Sequence, residues 1–563
     1  MPVYFFCGLI GKTAIRQLAA KRLVAGVLLF FALIPAGCGN GDQKDSKEQS
    51  TVAAAPQAGG VYRIPLLNNP KSLDPVRAED QYSAAVVYQL FDGLVRFSPD
   101  LLIIPALAEN WQIEQDGLAY RFFLRKDAFF HDGKPVTSRD VLFSFSRLIR
   151  TAPPPSILQH MLRIAGAREY RDGKTDLLEG ISIVNEKELV IRLEGPYAPF
   201  LAALGMYQTR IVPQDAVTEW GDNFYRNPVG SGAFRFSSWE DNKVLRLERF
   251  QQYYLGSSLL DGIQYVIYPG GNIDGVLADF RAHKLEEMPV YGKVREQLRA
   301  EPGIKWIHRA SPSLLFYGIN CEHPLLRQPA LRRALSLAID REKLASSVYG
   351  GQFEPARSIL PPGILGYNPE NPGIEDDLEK ARQEIGTVIP GGTSERPVFE
   401  IASAINSPVA NAELDFVTRC WDRIGVDLRV KFITNWAEFE RYIRSPSMQI
   451  YRYAWFMDLP DPDNIVQVLF ESDSNVNYMR YRNPEVDEMI RSARVLFLPA
   501  ERAGIYRKIQ DLIVRSAPAV PLVYLTVDQV YQSNVQGIQL NALAGHKALR
   551  EVWLSRLTES RPQ

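Results

Sequence analysis

The residues most able to do chemistry in this chain do not form a catalytic pattern. Six histidines occur, at His131, His160, His283, His308, His323 and His546. None sits in an HExxH arrangement, and none is paired at the helical spacing that would let two imidazoles share a metal. No GxSxG turn offers an exposed serine nucleophile, and no SxxK motif occurs with its partners. A phosphate-cradling GxxxxGK[ST] loop is absent. Gly230-Ser231-Gly232 lacks the third glycine of a dinucleotide fingerprint, with Arg235 in its place. His131 stands in a turn beside Asp132 and reads as a surface or capping histidine. The cysteines are Cys7, Cys38, Cys321 and Cys420. Without any CxxC pair, they do not define a zinc site. Cys321 and Cys420 are expected as two buried thiols. The sequence therefore points away from an enzyme, and no cofactor or metal is expected.

The organisation of the chain suggests where it works. The first basic residues, Lys12, Arg16, Lys21 and Arg22, precede a twelve-residue apolar run at 23–34 (LVAGVLLFFALI). This run is short for a bilayer span and suits a secretion signal. Pro35-Ala36-Gly37-Cys38 follows and resembles a bacterial lipobox, although Pro35 stands where that pattern prefers leucine. Cys38 is expected to carry lipid, so 1–38 reads as a signal peptide with a lipobox-like end. Residues 39–58 (GNGDQKDSKEQSTVAAAPQA) have no apolar period and read as a flexible tether. A tether after a lipidated cysteine would hold a soluble body at a bacterial membrane, on the periplasmic side or at the cell surface.

The 563 residues call for two or three structural units. With 64 basic and 65 acidic residues, the chain has no bulk charge to attract nucleic acid. From residue 59 the pattern turns to mixed α/β. Strands are predicted at 60–67, 120–125, 190–193, 233–236, 244–248 and 264–268. Helices are predicted at 83–95, 137–150, 329–347 and 485–514, the last with a break near Pro499. Thr137 with Asp140 reads as an N-terminal cap.

Several separated segments resemble the family 5 extracellular solute-binding proteins, the oligopeptide- and dipeptide-binding group. They are Ser72-Leu73-Asp74-Pro75, Leu90-Phe91-Asp92-Gly93-Leu94, Pro105-Ala106-Leu107-Ala108-Glu109-Asn110-Trp111, and Phe130-His131-Asp132-Gly133. Further on come Asn227-Pro228-Val229-Gly230-Ser231-Gly232-Ala233-Phe234, Leu331-Arg332-Arg333-Ala334-Leu335, Ala338-Ile339-Asp340-Arg341, and Asp458-Leu459-Pro460-Asp461-Pro462 after Trp455. Each piece alone is weak, but together they run in family order from about 59 to 554. The resemblance implies a two-lobed α/β periplasmic binding protein fold of the class II type, with an extra subdomain and a hinge. Lobe I would comprise 59–88, 226–308 and 528–563, its extra subdomain 89–225, and lobe II 309–527.

The resemblance also implies a function. A monomer would enclose a peptide between its lobes and deliver it to an ABC permease and ATPase complex. Asp458 matches the carboxylate that receives the ligand's ammonium group in peptide-binding relatives. Trp455 and Tyr453 would supply an aromatic wall or belong to the core. Glu79 and Gln81 match a stretch that lines the peptide backbone. Dipeptide-binding relatives hold the ligand carboxylate with an arginine where Asn411-Ala412 falls here, which disfavours a fixed dipeptide length. The same fold carries nickel complexes, haem, sugars or opines in other relatives, and a solute-sensing signalling lipoprotein is the remaining reading.

Overall fold

The computed structural model describes residues 55–556, apart from 291, 371–372, 390–395, 541 and 544–547. The expected signal segment, Cys38, and the tether up to residue 54 lie outside the described residues. Four principal sheets carry the fold. The first has the order Val61–Leu66, Gly262–Ile267, Val244–Arg249, Phe234–Glu240; only its first pair is parallel. The second is antiparallel, with Thr526–Gln532 between Glu287–Pro289 and Ile304–Ala310. A third, also antiparallel, is formed within the segment expected as the extra subdomain. It comprises Ala108–Glu114, Ala119–Leu124, Glu188–Arg192 and Ile181–Asn185.

The six-stranded fourth sheet bears most directly on the site. Its order is Glu354–Pro355, Ala519–Tyr524, Ser313–Ile319, Ile450–Phe456, Val398–Ser403, Asp427–Phe432. Val398–Ser403 runs parallel to both of its neighbours. The chain leaves it for Asp427–Phe432 on one side and returns to Ile450–Phe456 on the other. Such a reversal opens a crevice at the carboxyl ends of the strands, the usual ligand position in an open α/β sheet.

Only two short connections join the second sheet to the fourth. Ser311-Pro312 links Ile304–Ala310 to Ser313–Ile319, and Leu525 links Ala519–Tyr524 to Thr526–Gln532. The two crossings are bonded to each other: the Ser311 amide and hydroxyl both donate to the Leu525 carbonyl, at 2.8 and 3.0 Å. The sheets therefore meet at a narrow double strand.

Several expectations are refined. The helix expected at 137–150 is Ser138–Arg150, with Thr137 and Asp140 forming a reciprocal capping box. The single helix expected at 329–347 is two, Pro329–Leu337 and Arg341–Ser347. The Asp340 side chain accepts from the Lys343 amide and starts a new helix there. The helix expected at 83–95 is Gln81–Leu90, because Asp80 caps it earlier and Phe91 turns extended.

His131 is half-buried, and it joins two of the sequence motifs rather than capping a surface turn. Its Nδ1 accepts from the Gly230 amide at 3.2 Å, so its Nε2–H donates to the Gly232 carbonyl at 3.1 Å. Burial lowers its pKa to about 4, which keeps it neutral. The glycines are required there: a Cβ on Gly230 would lie 1.9 Å from the Leu90 carbonyl oxygen, and one on Gly232 2.3 Å from that of Gln89. Cys420 is buried and Cys321 half-buried, and both thiols are free. Among the described residues no helix is long and apolar enough to cross a membrane.

Candidate ligand-binding site

Asp458 lies two residues beyond the carboxyl end of Ile450–Phe456, at the crevice the topology creates. It belongs to a run of three aspartates, of which two are committed to arginines. Asp461 accepts from Arg502 at 2.5 and 2.7 Å, with both side chains buried. Asp463 accepts from Arg494 at 3.0 Å. Arg502 rises from the helix Pro499–Ser516, and Arg494 ends the helix Pro484–Arg494. The turn is thus clamped against two helices. Asn464 adds a third restraint: its Oδ1 accepts from the Asp458 amide, and its carbonyl accepts from the Trp455 indole N–H, both at 3.1 Å.

With its backbone fixed, the Asp458 carboxylate faces a cavity of about 240 Å³. Glu79 and Gln81 line the same cavity, as do Ser156, Tyr207 and Phe456. Glu79 and Gln81 flank Asp80, whose carboxylate is taken up by the Tyr82 and Ser83 amides at 2.9 Å each. Among the described residues the lining holds three acids, Glu79, Asp80 and Asp458, and no lysine or arginine.

The electrostatics follow from that imbalance. Burial raises the Asp458 carboxyl above its ordinary range, and no cation among the described residues pulls it back. Burial likewise raises Glu79. Its hydrogen bonds to Ser156 oppose that shift, and the nearby charge of Asp458 adds to it. The two carboxylates are reachable by solvent, yet enough protein surrounds them to displace bulk water. An arriving cation would be drawn to such a pair strongly.

Of the five residues singled out from the sequence, three meet here: Asp458, Glu79 and Gln81. The other two, Tyr453 and Trp455, do not line this cavity. On a strand, residues two apart share a face, so Tyr451, Tyr453 and Trp455 point together into the core. Tyr453 sits among Phe316, Trp436 and Tyr478, with ring centroids 5.8–6.4 Å away. On this strand the aromatic side chain that reaches the cavity is Phe456, 61% exposed, beside Tyr88 and Tyr207 from elsewhere in the chain. Asn411 lies within the helix Pro408–Asp422, where its side-chain amide donates to Asn406 at 3.1 Å. Among the described residues no cluster of histidine, cysteine, aspartate or glutamate could hold a metal ion.

A hinged pair of lobes around a cavity is the architecture of a binding protein. The chain belongs to the bacterial extracellular solute-binding proteins, family 5, whose model matches residues 103–477. It is a two-lobed α/β solute-binding protein, and not an enzyme. The oligopeptide-binding protein OppA of Bacillus subtilis is 24% identical over 537 residues, covering 92% of this chain and 96% of the relative. Heme-binding protein A of Haemophilus influenzae is 27% identical over 459 residues, covering 77% and 82%. Among solved structures, the unliganded open form of the periplasmic murein tripeptide-binding protein MppA matches with a TM-score of 0.80 at 21% identity. That match covers 89% of this chain and 98% of the other.

Proposed function

We propose that this protein captures peptides between its lobes, with Asp458 receiving the ligand's ammonium group. The observation that carries this reading is the one unpaired carboxylate in an otherwise arginine-clamped turn, facing a cavity without a described cation. Glu79 opposes it from the other side and shares the positive charge. Gln81, which offers both a donor and an acceptor, serves the peptide backbone. Trp455 acts through Asn464 by holding the turn, and Tyr453 supports it from the core. The lobes divide at the Ser311-Pro312 and Leu525 crossings, and closure about that hinge brings Asp458 and Glu79 onto the ligand.

Family membership supports a wider role in import, and the lipobox-like segment before Cys38 supports an anchored form. The chain is a monomeric lipoprotein, anchored through Cys38 to a bacterial membrane and facing the periplasm or the cell surface. It hands its peptide to an ABC permease and ATPase complex. Substituting Cys38→Ser should abolish incorporation of labelled fatty acid. A second reading, a non-peptide solute such as haem, draws support from heme-binding protein A, which is 27% identical over 459 residues against 24% over 537 for OppA.

Calorimetry with free-amine peptides tests the central assignment. Asp458→Ala should weaken binding at least tenfold, a loss of about 1.4 kcal/mol or more. Unchanged affinity removes Asp458 from the site.

A further inference from the structure

A second cavity, of about 320 Å³, adjoins the first. Gln159, His160, Leu459 and Asn464 line both. Its charge is the opposite of its neighbour's. Among the described lining residues there are three arginines, Arg163, Arg168 and Arg494, against one acid, Asp463. Asp463 is already bonded to Arg494 at 3.0 Å. Arg163 and Arg168 have no acidic partner among the described residues, and His160 is held neutral by burial.

Two of these cations meet at one ring. Arg163 and Arg494 both lie over the ring of Tyr197, at 5.0 and 5.7 Å from its centroid. Arg163 belongs to the segment expected as the extra subdomain, whereas Arg494 ends a helix of the segment expected as lobe II. The Tyr197 hydroxyl is bonded to His160 Nδ1 at 2.8 Å, which fixes the ring between them. The Arg494 charge is met by Asp463, whereas Arg163 has no acidic counter-ion among the described residues. A carboxylate supplies that counter-ion and matches the guanidinium fork in shape.

We infer that this second cavity is a carboxylate subsite. It takes an anionic group of the same peptide whose ammonium group sits at Asp458, either an acidic side chain or the C-terminal carboxylate. The inference rests on the ammonium reading of Asp458, and it narrows the ligand class to peptides that carry a carboxylate within reach of their N-terminus. It also supplies an arginine site for the ligand carboxylate away from Asn411-Ala412, where the dipeptide-binding pattern has its arginine.

Calorimetry with four short peptides of one length tests it. Two carry glutamate at the first position and two carry glutamine, each as the free acid and as the C-terminal amide. The full chain should prefer the peptide bearing the matching carboxylate at least tenfold. A preference for glutamate over glutamine identifies the side chain as the source, and a preference for acid over amide identifies the terminus. In an Arg163→Gln/Arg168→Gln variant that preference should shrink to about twofold or less, while the peptide lacking both carboxylates binds as it does to wild type. If the double variant melts well below wild type, Arg168→Gln alone reads the same ratio, since Arg168 is exposed and has no described side-chain partner. Absence of any carboxylate preference, or a preference that survives both substitutions, overturns the inference. Peptides that bind through Asp458 without discrimination overturn this subsite alone. If none of the four binds, the ammonium reading falls and the subsite falls with it.

Discussion

At the scale of single residues, the site is defined by charges left unneutralised. Asp461 and Asp463 each have an arginine, and Asp458 has none among the described residues. A bound ammonium stabilises the ionised carboxylate, so the pKa of Asp458 is lower in the complex than in the empty site. Affinity is therefore full above the raised pKa of the empty site and declines as pH falls through it. Glu79, raised by burial and by Asp458, acts in the same direction. Peptide affinity should weaken on acidification beginning above the ordinary aspartate value of about 4, with protons taken up by the empty site and released on binding. Calorimetry in buffers of different ionisation enthalpy measures that release. Binding without proton release in this range would show that neither carboxylate meets the ligand's charge.

At the scale of elements, the site depends on what holds the turn. Removing Arg502 leaves Asp461 buried without its counter-ion, which typically costs about 3–5 kcal/mol. Arg502→Met should therefore lower the melting temperature sharply, and a variant that melts like wild type would show that the turn is held otherwise. The link between the FHDG and NPVGSG motifs carries its own signature. His131 is neutral in the fold, with its pKa lowered from 6.5 to about 4. Its contribution to stability is present above the ordinary value and is lost as pH falls from there towards 4. The destabilisation caused by His131→Ala should be largest at neutral pH and shrink over that window, by up to about 1.4 kcal/mol per pH unit. Denaturant titrations at several pH values measure it, and a gap that stays constant would place the histidine's charge outside the effect.

The elements themselves were largely legible in the sequence, because capping and periodicity are local signals. Thr137 with Asp140 starts the helix Ser138–Arg150. Pro499 separates the two helices that supply Arg494 and Arg502. Asp80 and Asp340 carry the same kind of capping signal, but apolar periodicity running past them blurred the boundaries they set. The site was legible only in part. Asp458, Glu79 and Gln81 came from the family resemblance and share one cavity. Sequence reasoning missed Phe456 and singled out Trp455, which the register turns into the core. Asn464 could have been suspected as a side chain able to accept from the preceding turn. Arg163 and Arg168 lie some three hundred residues from the aspartates they neighbour, and no spacing rule links them.

At the scale of the molecule, two short chain connections, bonded to each other through Ser311 and Leu525, join the second and fourth sheets, and we propose that they form the hinge. The crevice at the carboxyl ends of the parallel strands brings an acidic cavity beside a basic one. A zwitterionic ligand bound across them would draw the elements on both sides together and fasten the lobes. A short peptide compared with its N-acetylated counterpart, measured by calorimetry on the full chain, tests this most directly. Acetylation removes the positive charge and little else. The free amine should bind at least tenfold more tightly, and Asp458→Ala should erase the difference. Equal affinity of the two peptides for the unaltered chain would contradict the assignment of Asp458 as the ammonium receptor.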